Sequence, residues 1–265
     1  MSAPPVSASP DERPAPSLLV RYGNFLFRAR DAVFPVVLLG LFVATRPRWP
    51  GGSQRADDAL DLVGVLVALA GQALRVATVG YAYIIRGGKD RKVYAEELVT
   101  RGLFRHGRNP LYVGNVLILA GLLLVWNSPV AYALGVPFFA LGYVAIVAAE
   151  EAFLRGKFGA PYDAYCATVP RWGLRLRGLR ASVADMTFNW RRVLVKEYGS
   201  AAYWMAGICL LQLADSLAYL PWRARPAYHA ALAAGVPVVA VLWGIARWLK
   251  KSRRVTEHGP AAAHA

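Results

Sequence analysis

Two short stretches of the 265-residue chain combine residue types that could hold a charged small molecule. The first is Asn109-Pro110-Leu111-Tyr112, at the head of an apolar run. Asn suits the position before a helix, and Pro suits its first turn, where a missing N–H has no partner to lose. A helix start leaves free backbone N–H groups and the positive end of the helix dipole at that end, a ready seat for an anionic group. Gly102 and Gly107, just upstream, let backbone come close to a ligand. The second stretch is Glu150-Glu151, at the end of the next apolar run. Acids at a helix C-terminus oppose the dipole, so their position needs a reason. Glu151 has a bland one, an ion pair with Arg155 one turn on. Glu150, nearer the apolar part, reads as functional.

These two stretches are brought together by the elements between them. Asn127-Ser128-Pro129 separates the two apolar runs and predicts an antiparallel helical hairpin. Asn109 and Glu150 lie about equally far from that turn, so at about 1.5 Å per residue they reach similar depth. Beyond Glu151, Tyr162 and Tyr165 stand three apart on one face of a short helix. Read alone they are interface tyrosines. His106 is the nearest candidate base, set against a structural or solvated reading. Arg75 lies deep in an earlier apolar run, where a charge lines a cavity or pairs internally.

The chain as a whole is 56% hydrophobic and 18% charged, against about 45–50% and about 25% for soluble domains. The excess falls in six blocks, at about 22–45, 59–86, 110–126, 130–149, 198–220 and 227–249. Each approaches the roughly 20 residues that cross a bilayer as a helix. The expected fold is all-α, a polytopic membrane bundle of about six transmembrane helices with cytosolic amphipathic helices. Residues 1–20 read as a disordered tail, 21–175 as a membrane core, 176–197 as a cytosolic linker, 198–250 as a transmembrane hairpin and 251–265 as a second disordered tail.

The net charge of +15 could suggest nucleic acid, but its placement is topological. Of 31 Lys and Arg residues, 25 fall in alternate inter-block segments that become cytoplasmic if both termini are inside. The lipid bilayer is therefore the expected partner, with no nucleic acid, in what the pattern suggests is the cytoplasmic membrane. Cys166 and Cys209 imply no disulfide framework, and the four His residues show no metal-ligand spacing, so no metal is expected. Asp215, with Gln212 near it, reads as a helix-packing or interfacial residue.

The run Leu98-Val99-Thr100-x-Gly102, then Arg108-Asn109-Pro110-x-Tyr112-x-Gly114, Glu150-Glu151-x-x-Leu154, Phe158-Gly159-x-x-Tyr162-x-x-Tyr165 and Val169-Pro170-Arg171 resembles the isoprenylcysteine carboxyl methyltransferases and the related phospholipid methyltransferases. The resemblance covers about residues 71–172, including Gln72 and Arg75. It implies methyl transfer from S-adenosylmethionine held on the cytosolic side. It places Leu98, Val99, Phe104, Asn109, Pro110, Leu111, Tyr112 and Glu150 around that cofactor. Substrate-side candidates are Arg75, His106 and Tyr165. Two departures stand out: the family usually has His at the position of Asn109, and in the eukaryotic enzymes an arginine that meets the substrate carboxylate stands where this chain has Ile146. Arg75 is the candidate replacement.

The reading is thus a membrane methyltransferase acting on a lipophilic or small thiol, carboxyl, phenol or amine acceptor. One competitor is a sterol-type membrane reductase using NADPH. The other is a transporter or scaffold, for which paired interrupted helices or repeated halves would be the sign. Neither the acceptor nor the oligomeric state is legible.

Overall fold

The computed structural model describes residues 16–81, 95, 97–184 and 186–256. Most of the two tails, and residues 82–86 of the second block, lie outside that set. Eight α-helices and no strand occur among the described residues. They are α1 (Leu18–Ala44), α2 (Gln54–Tyr81), α3 (Pro110–Trp126), α4 (Pro129–Phe158), α5 (Ala160–Thr168), α6 (Leu179–Ala184), α7 (Trp190–Tyr219) and α8 (Pro226–Lys251). The molecule is a helical membrane bundle. Helices α2, α4, α7 and α8 are each long and apolar enough to cross a bilayer. Helix α3 has 17 residues, or about 25 Å of rise. Helix α1 carries Arg21, Arg28, Arg30 and Asp31 in its first half.

Small residues set the central interface. Gly64 and Gly71 of α2 face Gly121 and Gly114 of α3 so closely that a Cβ built on Gly71 would lie 2.6 Å from the Gly114 carbonyl oxygen. One on Gly64 would lie 2.8 Å from the carbonyl oxygen of Gly121. Within lipid there is little hydrophobic force to bring helices together, so close backbone contact supplies the packing. Helix α7 closes on α2 and α3, and α8 packs against α7. The core formed there includes Ile118, Leu122, Trp126, Trp204 and Ile208. Trp126, at the end of its block, is buried in this core, with its indole N–H donating to Thr45 Oγ1 at 2.8 Å.

The hairpin of α3 and α4 departs from simple expectation. The turn is there, with Asn127 in the left-handed region at φ 41°, but α4 packs mainly on α1 and touches α3 little. Gly23 of α1 sits against the backbone of Ala145 on α4, and Phe34 meets Phe139 and Tyr143 edge-on at 5.3 Å each. The two arms diverge because α4 finds its small-residue partner on α1 and α3 finds its own on α2. The space between them is the site described next. Helix α7 begins at Trp190, inside the stretch read as linker, so Glu197 is buried within a helix.

Candidate functional site

The approach to α3 is a 3-10 turn, Gly102–Arg105, followed by a loop joined to the segment after α5. The Arg108 N–H donates to the Pro170 carbonyl at 2.9 Å and the Arg175 N–H to the carbonyl of His106 at 3.0 Å. A Cβ on Gly107 would press into the Gly173 carbonyl, so the close approach requires glycine there. Asn109 precedes Pro110 at the helix start, but its side chain does not cap the helix. It donates instead to the Arg171 carbonyl at 3.1 Å. No side chain therefore caps the first turn of α3. Its N–H groups are left for a ligand or solvent.

Opposite this turn stands the end of α4. Tyr112 donates its hydroxyl proton to Glu150 Oε1 at 2.6 Å, and Arg30 Nη1 donates to the Tyr112 oxygen at 2.7 Å. Arg30 also lies over the Phe27 ring, 4.2 Å from its centroid. A chain of three polar groups from α1, α3 and α4 thus closes one end of the space between them.

Glu151 turns the other way. It is buried, paired with Arg108 at 2.9 Å and held by Arg171 through both carboxylate oxygens. The hydrogen bonds to Glu151 raise the Arg171 pKa. Arg155, its partner by sequence spacing, pairs with Asp163 at 2.7 Å. Burial pushes the Tyr162 and Tyr165 phenols above their usual range. Tyr165 stays protonated and donates to the Phe104 carbonyl at 2.6 Å.

A cavity of about 1000 Å³ occupies this region. Leu98, Val99 and Phe104 line it from the approach loop, Asn109, Pro110, Leu111 and Tyr112 from the first turn of α3, and Glu150 from α4. All eight residues named for the cofactor border one space. Arg75 and Tyr165 border it as well. His106 does not: its ring nitrogens lie 2.6 Å from the Arg175 carbonyl and 2.8 Å from Ser182 Oγ, inside the loop packing. The other half of the cavity is apolar, with Phe34, Leu38 and Phe42 of α1 on one wall. It reaches the outer surface at Leu39, 63% exposed, and Tyr203, 74% exposed.

Arg75 borders the cavity but makes its hydrogen bonds within the bundle. Its Nε lies 2.9 Å from Glu197 Oε2, its Nη2 lies 3.2 Å from Oε1, and its Nη1 donates to Asn115. Gln72 joins them by donating to Glu197 at 3.2 Å and accepting from the Trp204 indole at 2.9 Å. The cation left facing Glu150 is Arg30. Sequence reasoning missed it, although a charge within an apolar block was its signal. Lys196 and Lys250 also reach the cavity, from the C-terminal hairpin.

The donor set suits the cofactor implied by the motifs. It offers an uncapped helix start, a carboxylate with Oε1 held by a phenol, and the buried Arg108 Nε, which has no hydrogen-bond partner. The volume lies at the upper end of the usual range for small-molecule sites, about 300–1,000 Å³.

The phospholipid methyltransferase family model matches residues 62–161. Over 169 residues the chain is 30% identical to the nickel-cobalt-cadmium resistance protein NccN of Alcaligenes xylosoxydans xylosoxydans, covering 64% of this chain and 76% of the relative. Over 159 residues it is 31% identical to the cobalt-zinc-cadmium resistance protein CzcN of Cupriavidus metallidurans, covering 58% and 67% respectively. No solved structure matches the chain.

Proposed function

The chain belongs to the phospholipid methyltransferase family, and from that premise we propose that it transfers a methyl group from S-adenosylmethionine to a lipophilic or small acceptor. The acceptor is a thiol, carboxyl, phenol or amine that enters from the bilayer. The observation that carries this reading is the Tyr112–Glu150 hydrogen bond, 2.6 Å long, which joins an uncapped helix start to an acid at the rim of a large cavity.

When bound, the cofactor supplies an electrophilic methyl group. The protein's task is then mainly to position the reactants and keep water out. The first-turn amides of α3 and Arg108 suit a carboxylate. Oxygens of Glu150 accept hydrogen bonds from amino or hydroxyl groups, with the carboxylate oriented by Tyr112. The apolar wall from α1 shelters the reaction and admits a lipophilic acceptor through the opening near Leu39 and Tyr203. Arg30, rather than Arg75, faces the acceptor and favours one that carries negative charge. Such an acceptor needs no general base, in keeping with the placement of His106 outside the cavity.

All six long helices cross the membrane, with both termini and the polar end of the cavity in the cytoplasm. The distribution of basic residues supports this orientation. The test is equilibrium binding of labelled S-adenosylmethionine and of NADPH to the purified full chain in detergent. Saturable S-adenosylmethionine binding, weakened about tenfold or more in Glu150→Gln, is expected from the loss of a charged hydrogen-bond acceptor, about 1.5–3 kcal/mol. Binding of NADPH alone would point to a reductase, and binding of neither to a transporter or scaffold.

A further inference from the structure

At the end of the bundle opposite the polar end of the cavity, three carboxylates converge. Asp57 and Asp61 stand one turn apart at the start of α2, and Asp215 meets them from the end of α7. One oxygen from each lies within 4.8 Å of the others. All three side chains are buried, with exposures of 4%, 5% and 1% respectively. Arg225 pairs with Asp58 at 2.8 Å and acts on Asp61 only through its charge. His229 lies 2.9 Å from Ser216 and 3.2 Å from the Trp222 carbonyl through its two ring nitrogens. The Trp49 indole donates to Asp215 Oδ2 at 3.1 Å, and Gln212 hydrogen-bonds Asp61. Asp61 Oδ1 and Asp215 Oδ1 remain buried without a hydrogen-bond partner.

Orphaned carboxylate oxygens are costly, and three buried acids this close repel one another if ionised. Asp57 and Asp215 already hydrogen-bond each other, and a proton held between those two leaves both orphaned oxygens unserved. A cation would serve both. We propose that Asp57, Asp61 and Asp215 hold a divalent cation of the hard class, Mg²⁺, Mn²⁺ or Ca²⁺. The donor set is all oxygen, which suits these ions over those that prefer thiolate or imidazole. The spacing of Cys and His gives no sign of such a site, because two of its ligands come from one helix and the third from a helix more than 150 positions later. The ion ties α7 to α2, and α7 carries the Glu197 that pairs with Arg75 at the cavity wall. The site is therefore a structural one, independent of the methyl-transfer reading.

The experiment is Mn²⁺ titration of the chelator-stripped full chain in detergent, followed by electron paramagnetic resonance. One Mn²⁺ per chain is expected, displaced by Ca²⁺ or Mg²⁺, with a melting temperature that rises as Mn²⁺ is added. Asp61→Asn should weaken binding at least tenfold. Fe²⁺-directed backbone cleavage of the unsubstituted chain locates the ion even where a variant fails to fold, and cuts are expected near residues 57–61 and 215. No bound Mn²⁺, binding retained in Asp61→Asn, or cleavage confined elsewhere would overturn the proposal. So would a melting temperature indifferent to Mn²⁺ but raised by Asp61→Asn, the mark of a cluster that simply shares protons.

Discussion

The Tyr112 hydroxyl donates to Glu150 Oε1 at 2.6 Å, and this bond crosses the gap between two helices that touch little. Because Arg30 also donates to the Tyr112 oxygen, at 2.7 Å, one phenol fixes an acid from α4 and a cation from α1. Tyr112→Phe removes both bonds while keeping the ring. Its expected cost is about 1.5–3 kcal/mol in S-adenosylmethionine binding, read as a tenfold or greater rise in Kd by isothermal titration. A Kd unchanged within twofold would detach Tyr112 from the site.

Arg30 and Arg75 have opposite predicted signatures. Arg30→Gln should raise KM for a negatively charged acceptor about tenfold or more and leave cofactor Kd within about threefold, because its hydrogen bond on the cofactor side goes to Tyr112 and none reaches Glu150. Steady-state kinetics over both substrates separates these effects. A rise in cofactor Kd equal to the rise in acceptor KM would assign Arg30 to the cofactor instead.

Glu197→Gln leaves the Arg75 guanidinium buried without its ion-pair partner. Breaking a buried pair in this way costs about 3–5 kcal/mol, whereas replacing both partners with apolar residues of similar size is often neutral. Thermal unfolding in detergent should therefore show a large drop for Glu197→Gln and substantial recovery in Arg75→Met/Glu197→Leu. Failure of the double variant to recover would mean that Arg75 does more than pair.

Gly71→Ala places a methyl group 2.6 Å from the Gly114 carbonyl oxygen, where backbone must move, while Gly40→Ala meets nothing within 4 Å. The first should lower the melting temperature by several degrees or prevent purification. The second should be neutral or slightly stabilising, since Ala is the better helix former by about 1 kcal/mol. Similar behaviour of the two variants would contradict the α2–α3 packing.

Burial raises the Tyr165 pKa, so the folded protein holds the phenol proton more tightly than the unfolded chain does. That contribution to stability is fully present below the unfolded value, about pH 10, and is lost as the pH climbs through the folded value. Tyr165→Phe should cost about 1 kcal/mol at neutral pH from its hydrogen bond to Phe104. It should also flatten the alkaline limb of the stability curve. An alkaline limb unchanged in Tyr165→Phe would place the titrating group elsewhere.

Much of this architecture is legible in the residues. The helix start at Asn109-Pro110 follows from local preference, and the level of Glu150 follows from counting along two helices from one turn. Eight residues chosen on that basis and on the family motifs border a single cavity. Long-range partner choice was not legible. Spacing favours Arg155 for Glu151, yet a bidentate approach by Arg171 and the nearby Arg108 win, because α5 folds the chain back over the end of α4. Glu197 lies 122 positions from the arginine it neutralises, and no periodicity within either helix connects them. The divergence of α3 from α4 has the same origin: each helix carries small residues, and only the assembled bundle decides which neighbour they meet.

The central claim is that the first turn of α3 and Glu150 together hold S-adenosylmethionine. A cryo-electron microscopy map of the chain, bound to a stabilising fragment and saturated with the cofactor, tests it most directly. Density is expected between the 109–112 turn and the Glu150 carboxylate, inside the cavity and on the side away from the Asp57–Asp61–Asp215 cluster. Cofactor density elsewhere on the molecule, or none there at saturation, would contradict it.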